Sequence, residues 1–383
     1  MHHLSDSEWK VLKIISLSNG VSRKELAKRT GLSQAAITMI SKELIQSTYI
    51  IEGERVGSGL GRKEVMLYSN PHKFTFIGID IGGYRMRITV ANNCLELLHS
   101  REFLLSSADP EQTKEEFVIE SVRQCMREVG DALPSLSAIG IGVTGIVDRS
   151  CQTILNIPNA DNWNEVPITH SLQEAFGCPV FLDEGGRTLA LAEKYLGKAK
   201  EVDDFVIVHA AYGVVSGIVT NGHLIRGAHN LGGLLGHITA DPNGTRCLCG
   251  NYGCLENIVT YPMLEQDFEA RRHTREPSRT LLEAYLENDK HALDVCIDAG
   301  HALGIALSNV VNLFNPLAIY LGGPMFDDFP ILFEETKRTI ILRANRFATV
   351  GLRLERSSFQ HEQGMYGAAL LAKYRYLFPK EDM

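Results

Sequence analysis

Residues 237–256 read HITADPNGTRCLCGNYGCLE and place His237, Cys247, Cys249 and Cys254 in one short loop. Three thiols and an imidazole are the sulfur and nitrogen donors that tetrahedral zinc prefers. Gly250 and Gly253 stand beside the sulfurs, where a backbone wrapped around an ion must turn tightly. The plainer reading is three buried free cysteines near an unrelated histidine. Three cysteines within eight positions favour metal. With all four positions filled by protein, no place is left for a catalytic water, so the expected Zn2+ is structural.

Outward from this loop, the 383 residues suffice for two or three domains with cores of their own. A composition of 44% hydrophobic and 22% charged residues excludes a disordered or fibrous chain. No apolar run approaches the roughly 20 residues needed to span a bilayer. The N-terminus MHHLSDSEWK lacks a basic-then-apolar signal pattern. Cys94, Cys125, Cys151, Cys178 and Cys296 have no framework spacing, so a reducing cytoplasmic setting and no membrane are expected. The net charge of −8 hides an asymmetry: residues 1–70 carry ten Lys/Arg against seven Asp/Glu, and the rest is acidic. A mildly basic head on an acidic body suggests that only the head meets nucleic acid.

Within residues 1–70, Ser5-Asp6-Ser7-Glu8 reads as a capping box opening a first helix with Trp9, Leu12, Ile14 and Ile15 on its apolar side. Ser22-Arg23-Lys24-Glu25 repeats the pattern, and Gly31 stops the second helix. Ser33 caps a third, QAAITMISKELIQS, with Ala36, Ile37, Ile40, Leu44 and Ile45 inward. The turn Thr30-Gly31-Leu32-Ser33 between the last two matches a helix-turn-helix. Ser33, Gln34, Ala35, Thr38, Ser41 and Lys42 are then the candidate DNA contacts. Gln can pair with adenine, Ala and Thr can touch a thymine methyl, and Lys can take a phosphate. Two strands, at 49–52 and 64–68, flank the glycine-rich stretch 55–63, a candidate wing in which Arg55 contributes charge and Arg62 could enter a minor groove. A helical interaction module with a solvated loop is the blander alternative.

Asn70-Pro71 marks a boundary, and two α/β lobes are expected at 71–190 and 191–383, with the C-terminal helix free to return to the first. The strand 74–81 runs into Asp80-Ile81-Gly82-Gly83, and Arg87–Ala91 returns from it. A second glycine hairpin spans Val206 to Gly222. Two halves starting alike imply an internally duplicated α/β fold with a cleft between its lobes. Gly367-Ala368-Ala369 opens a last helix.

The pattern Cys-x-Cys-Gly-x-x-Gly-Cys-x-Glu after Gly236-His237 resembles the signature of the ROK family (repressors, open reading frames and sugar kinases), and the likeness spans about residues 8–372. The resemblance implies an actin-like, ribonuclease H-like duplicated sugar-kinase fold. The family's repressors carry an N-terminal winged helix-turn-helix that its kinases lack. Their wing has Gly-Arg-Pro, where this chain has Gly61-Arg62-Lys63. The resemblance also implies a sugar cleft of Asn159, Asp183, Glu184, His237 and Glu256, with His237 serving zinc and sugar alike. Glu184 falls at the kinases' general-base Asp, one methylene longer, and a displacement near 1 Å can cost about a hundredfold in rate. Leu234 replaces a Glu expected to accept sugar hydroxyl bonds, a change that alters sugar choice. On the nucleotide side Tyr84-Arg85 stand for Thr-Lys, and Ala211-Tyr212-Gly213-Val214-Val215 for Gly-Thr-Gly-x-Gly. Two amide-exposing glycines are gone, and both tyrosines are read as cleft filling.

An intact head, eroded phosphate loops and a partly retained sugar site point to a DNA-binding regulator. Its expected partners are a double-stranded operator, a small non-glucose sugar such as xylose, and a second copy of the chain, as a homodimer or a dimer of dimers. An active sugar kinase with an added head and a regulator controlled by a protein partner are the alternatives. ATP turnover distinguishes the first, and Leu234 gives weight to the second.

Overall fold

The computed structural model describes residues 4–56, 63–107, 109, 111–130, 133–158, 160, 162–272, 279–359 and 362–379. Each N-terminal helix begins where the sequence supplies a hydroxyl cap. Ser5 and Glu8 form a reciprocal capping box on Asp6–Ser16. Ser22 caps Arg23–Thr30, but the Glu25 carboxylate turns to Arg29 at 2.8 Å, so the second expected box closes on one side only. Ser33 caps Gln34–Gln46. Gly31, at φ 74°, ends the middle helix in the left-handed conformation that glycine adopts most readily. Val21–Ser22, Glu64–Ser69 and Ile50–Val56 close the unit as a three-stranded antiparallel sheet. Of the expected wing at 55–63, residues 57–62, Arg62 among them, lie outside the described residues.

Two five-stranded sheets follow, and they repeat one order. The first runs Leu97–Leu104, Arg85–Asn92, Thr75–Ile81, Leu136–Val143, Val180–Glu184. The second runs His223–Leu224, Val214–Thr220, Phe205–Ala210, Ala318–Gly322, Arg353–Arg356. In each, an antiparallel meander of three strands is extended by two parallel ones. This is the duplication implied by the two glycine hairpins. The boundary drawn at residue 190 falls inside the helix Gly185–Tyr195, whose Gly186 lies against the backbone of Ser216 in the second sheet.

One helix of the second lobe is apolar over most of its length. The helix Lys290–Phe314 has 25 residues and is apolar enough to cross a bilayer by length and composition. Yet 61% of its most apolar stretch is buried, packed against Pro330–Arg343 within the core of the second lobe. A helix apolar on most sides is what such a core position calls for.

The last helix, Gln363–Leu377, starts four residues before Gly367 and returns to the first lobe. It lies directly on the strands: a Cβ at Gly78 would sit 2.6 Å from the Ala369 nitrogen. Only glycine admits a helix so close. Its far end reaches the N-terminal unit, whose core includes Ala372, Tyr374, Leu377 and Phe378 together with Val11, Leu12 and Ile15. Lys13 donates to the Tyr374 hydroxyl at 3.2 Å, and Trp9 meets Phe378 edge-on at 5.9 Å. Lys373 is 1% exposed, and its ammonium donates to the carbonyls of Ser16 at 2.8 Å and Asn93 at 2.6 Å. Burial lowers its pKa to about 8, so it remains mostly protonated at neutral pH. One side chain thus ties the first helix, the first lobe and the last helix together. Lys373→Ala orphans two buried carbonyls, and a buried unsatisfied acceptor costs about 1–3 kcal/mol. The expected result is a lower thermal midpoint with faster proteolysis between head and body. An unchanged midpoint would show that the ammonium contributes nothing.

Candidate functional site

The cysteine loop folds as its glycines require. Gly250 at φ 95° and Gly253 at φ 65° take conformations that side chains disfavour, and Cys247 receives the Gly250 amide on its carbonyl. His237, Cys247, Cys249 and Cys254 come together with all four donor atoms within 4.8 Å of one another. The Cys247 sulfur lies 3.7 Å from His237 Nδ1, and the Cys249 and Cys254 sulfurs lie 3.6 Å apart. Tetrahedral zinc with Zn–S of about 2.3 Å needs sulfurs about 3.8 Å apart, so this donor set fits such an ion. Glu256 follows Cys254 by two residues, and its carboxylate accepts the Val214 amide at 3.1 Å. The loop therefore fixes one wall of the cleft between the lobes.

That cleft has two ends. At the inner end, Glu184, His237, Glu256 and Leu234 line one pocket with Thr144 and Pro158. Asn159, expected beside them, lies outside the described residues. Glu184 caps the helix Gly185–Tyr195, accepting the amides of Gly186 at 3.0 Å and Arg187 at 3.2 Å. Its carboxylate, expected from the family resemblance at the kinases' base position, holds a helix start here.

Asp183 departs from the expectation that it faces a ligand. It is 2% exposed, and its oxygens accept Arg187 Nε at 2.6 Å and Arg226 Nη2 at 2.8 Å. These guanidiniums hold its carboxyl below the usual range against the opposing effect of burial. Arg226 comes from the second lobe, and Arg187 also donates to the Asn230 carbonyl at 3.0 Å. The pair thus fastens the lobes. Sequence reasoning missed both arginines. Arg187 stands four residues after Asp183, but that spacing crosses a strand-to-helix turn, and Arg226 carries no local signal.

At the outer end, Tyr84 and Tyr212 meet across the mouth with ring centroids 4.7 Å apart and planes tilted by 55°, and Tyr212 continues to Tyr261 at 5.7 Å. Both Tyr84 and Tyr212 line the pocket formed by the two glycine hairpins. Asp80, near which a nucleotide's metal would be expected, is paired with Arg87 at 2.5 Å. This end is furnished for packing more than for phosphate.

On the N-terminal unit, Ser33, Gln34, Ala35, Thr38, Lys42 and Arg55 are exposed. Ser41 is a correction: it is fully buried, with its hydroxyl donating to the Ile37 carbonyl at 2.6 Å. Position 41 falls on the same helical side as Ile37 and Leu44, which the core claims. The outward place goes to Met39, 66% exposed. The spacing of Ala35, Thr38, Met39 and Lys42 at i, i+3, i+4, i+7 could have found it.

Burial pushes the Glu184 carboxyl up to about 7 in spite of the two amides and Arg187. That lies above the ordinary value of 4.5, so between the two the folded state holds the extra proton and stability falls as pH rises. Glu184→Gln cannot titrate. Denaturation midpoints followed across that window are expected to decline for the parent and to decline less for the variant. Parallel curves would show that Glu184 does not titrate there.

Residues 76–375 match the ROK family. The xylose repressor of Bacillus subtilis (strain 168) is 30% identical over 339 residues, covering 87% of this chain and 86% of that protein. The DNA-binding transcriptional dual regulator NagC of Escherichia coli (strain K12) is 27% identical over 374 residues, covering 95% and 91%. Among solved structures, a ROK family transcriptional regulator described as a homologue of the E. coli MLC protein superposes with a TM-score of 0.79 at 29% identity, over 97% of this chain and 96% of that one. The duplicated sheets, the cysteine loop between their lobes and the matched span together establish that the chain belongs to the ROK family.

Proposed function

We propose that the protein is a sugar-responsive transcriptional repressor. Its N-terminal winged helix-turn-helix reads an operator, and its kinase-like body binds a sugar effector without phosphorylating it. The observation that carries this reading is the division of the cleft. Hydrogen-bonding groups converge at the sugar end, while two tyrosine rings meet where a nucleotide's phosphates would pass. The relatives named as a xylose repressor and a DNA-binding regulator support the same assignment. Glu184, His237 and Glu256, and by the family resemblance Asn159, would hold the sugar hydroxyls. Leu234 puts an apolar group among them, which disfavours a hydroxyl at that corner and suits a pentose such as xylose.

A ligand moves a conformational balance only through unequal affinity for the two states. Here the lobes are joined by the Asp183–Arg226 pair and the tyrosine contact, and both must adjust when a sugar changes the cleft. The last helix begins at this cleft, with Gly364 against Asp80, and ends in the head. Motion in the cleft would therefore reach the DNA-reading unit. A two-fold operator calls for a homodimer.

Fluorescence anisotropy of DNA from upstream of the protein's own gene, titrated with and without a sugar panel, tests the reading. One sugar, a pentose first, is expected to release the DNA. Tight binding that no sugar alters would end the sugar-sensing part, and ATP consumption with any of those sugars at ordinary kinase rates would restore the enzyme alternative. The cysteine loop is assigned a structural zinc. Elemental analysis is expected to find about one zinc per chain, and Cys254→Ser to lose it, lower the thermal midpoint and weaken sugar binding through Glu256. Purified protein without zinc would refute the assignment.

A further inference from the structure

The outward face of the helix Gln34–Gln46 is less polar than its sequence suggests. Of its two candidate hydroxyls, Ser41 is turned into the core. The Thr38 hydroxyl donates to the Gln34 carbonyl at 2.7 Å, which spends its proton within the helix. The Ser33 hydroxyl accepts the Ala36 amide as the cap. What this face offers a groove is the Ala35 methyl, the Thr38 methyl and the whole thioether side chain of Met39, with Gln34 and Lys42 at its two ends. Met39 is 66% exposed at mid-helix; a single exposed apolar side chain is ordinary on a surface, but this one shares the outward side of the helix with the Ala35 and Thr38 methyls.

We propose that Met39 is a specificity-determining residue that reads thymine 5-methyl groups in the major groove, with Ala35 and Thr38 beside it. The inference rests on the DNA-reading assignment above and deepens it: the half-site carries adjacent thymines under the middle of this helix. The chemistry is direct. In the major groove thymine alone presents a methyl group, and apolar side chains recognise it by contact and by exclusion of water. Met suits such a contact, being unbranched, polarizable and able to fit against more than one methyl. Gln34 can add adenine recognition at one end, and Lys42 a phosphate contact at the other.

The test uses the full-length protein. Duplexes are first selected from a randomised double-stranded library. Each thymine of the preferred duplex is then replaced in turn by deoxyuridine, which removes the methyl and keeps every base-pairing group. Affinities are measured for the parent, Met39→Ala and Met39→Leu. One buried methyl is worth about fourfold in affinity. We expect one or two positions per half-site where deoxyuridine weakens the parent about three- to fivefold, leaves Met39→Ala unaffected, and again weakens Met39→Leu. Met39 lies on the surface, so the alanine variant keeps the fold and the comparison remains readable. Equal responses of parent and Met39→Ala at every position would overturn the proposal while leaving DNA binding intact, as would selected sites without thymine in the contacted half. If the library yields no preferred duplex, the DNA-reading assignment itself fails and this inference falls with it. Met39 would then belong to a protein contact.

Discussion

The structure depends on the depth at which its last helix is seated. Gly78 lets the helix Gln363–Leu377 settle on the first sheet, where any side chain would collide with the Ala369 backbone. From that position Lys373 reaches two carbonyls from different parts of the chain, Ser16 in the head and Asn93 in the first lobe. A buried ammonium without a carboxylate partner is costly, and hydrogen bonds are what make it tolerable. The head is consequently not a module on a tether. Its apolar core continues into the body through Phe74, Phe76, Tyr374 and Phe378. The signalling proposed above, from cleft to head, requires such a joint, because packed elements shift between discrete arrangements and do not bend continuously.

The cleft of this ROK chain is bridged at its mouth and fastened deeper in. Tyr84 and Tyr212 come from equivalent hairpins of the two lobes and meet across the mouth. Aromatic contacts of this kind contribute about 0.5–1.5 kcal/mol beyond the area they bury. Deeper in, Asp183 is shared by Arg187 and Arg226, and Glu184 is occupied as a helix cap. A group working as a general base must be free to meet the substrate's proton. Here the two carboxylates hold architecture. The Asp183–Arg226 contact across the seam is also one that a ligand between the lobes would have to accommodate.

The cysteine loop belongs to the same economy of parts. It carries His237 and, two residues beyond its last sulfur, Glu256, and both line the inner cleft. A cross-linking ion in so short a loop would hold these side chains in place when the lobes move, which regular secondary structure does not do there: among the described residues of the loop, only isolated bridges and single 3-10 turns occur.

What the sequence by itself determined was everything written in local spacing. The three helix caps, the Gly31 stop, the gathering of His237 with three cysteines and the repetition of glycine hairpins could all be read before the fold, because each depends on residues a few positions apart. The ROK likeness was legible for the same reason, being most specific in one short motif. Tertiary structure alone decided the contacts between distant segments. The locking of Asp183 by Arg226, the burial of Lys373 under the head and the meeting of Tyr84 with Tyr212 join residues 43, 357 and 128 positions or so apart. Ser41 and Met39 mark the border between the two. Their helix was plain from periodicity, but which of its sides faced the core depended on where Ile37 and Leu44 found neighbours. Periodicity sets the angle between side chains, and packing sets which direction is inward.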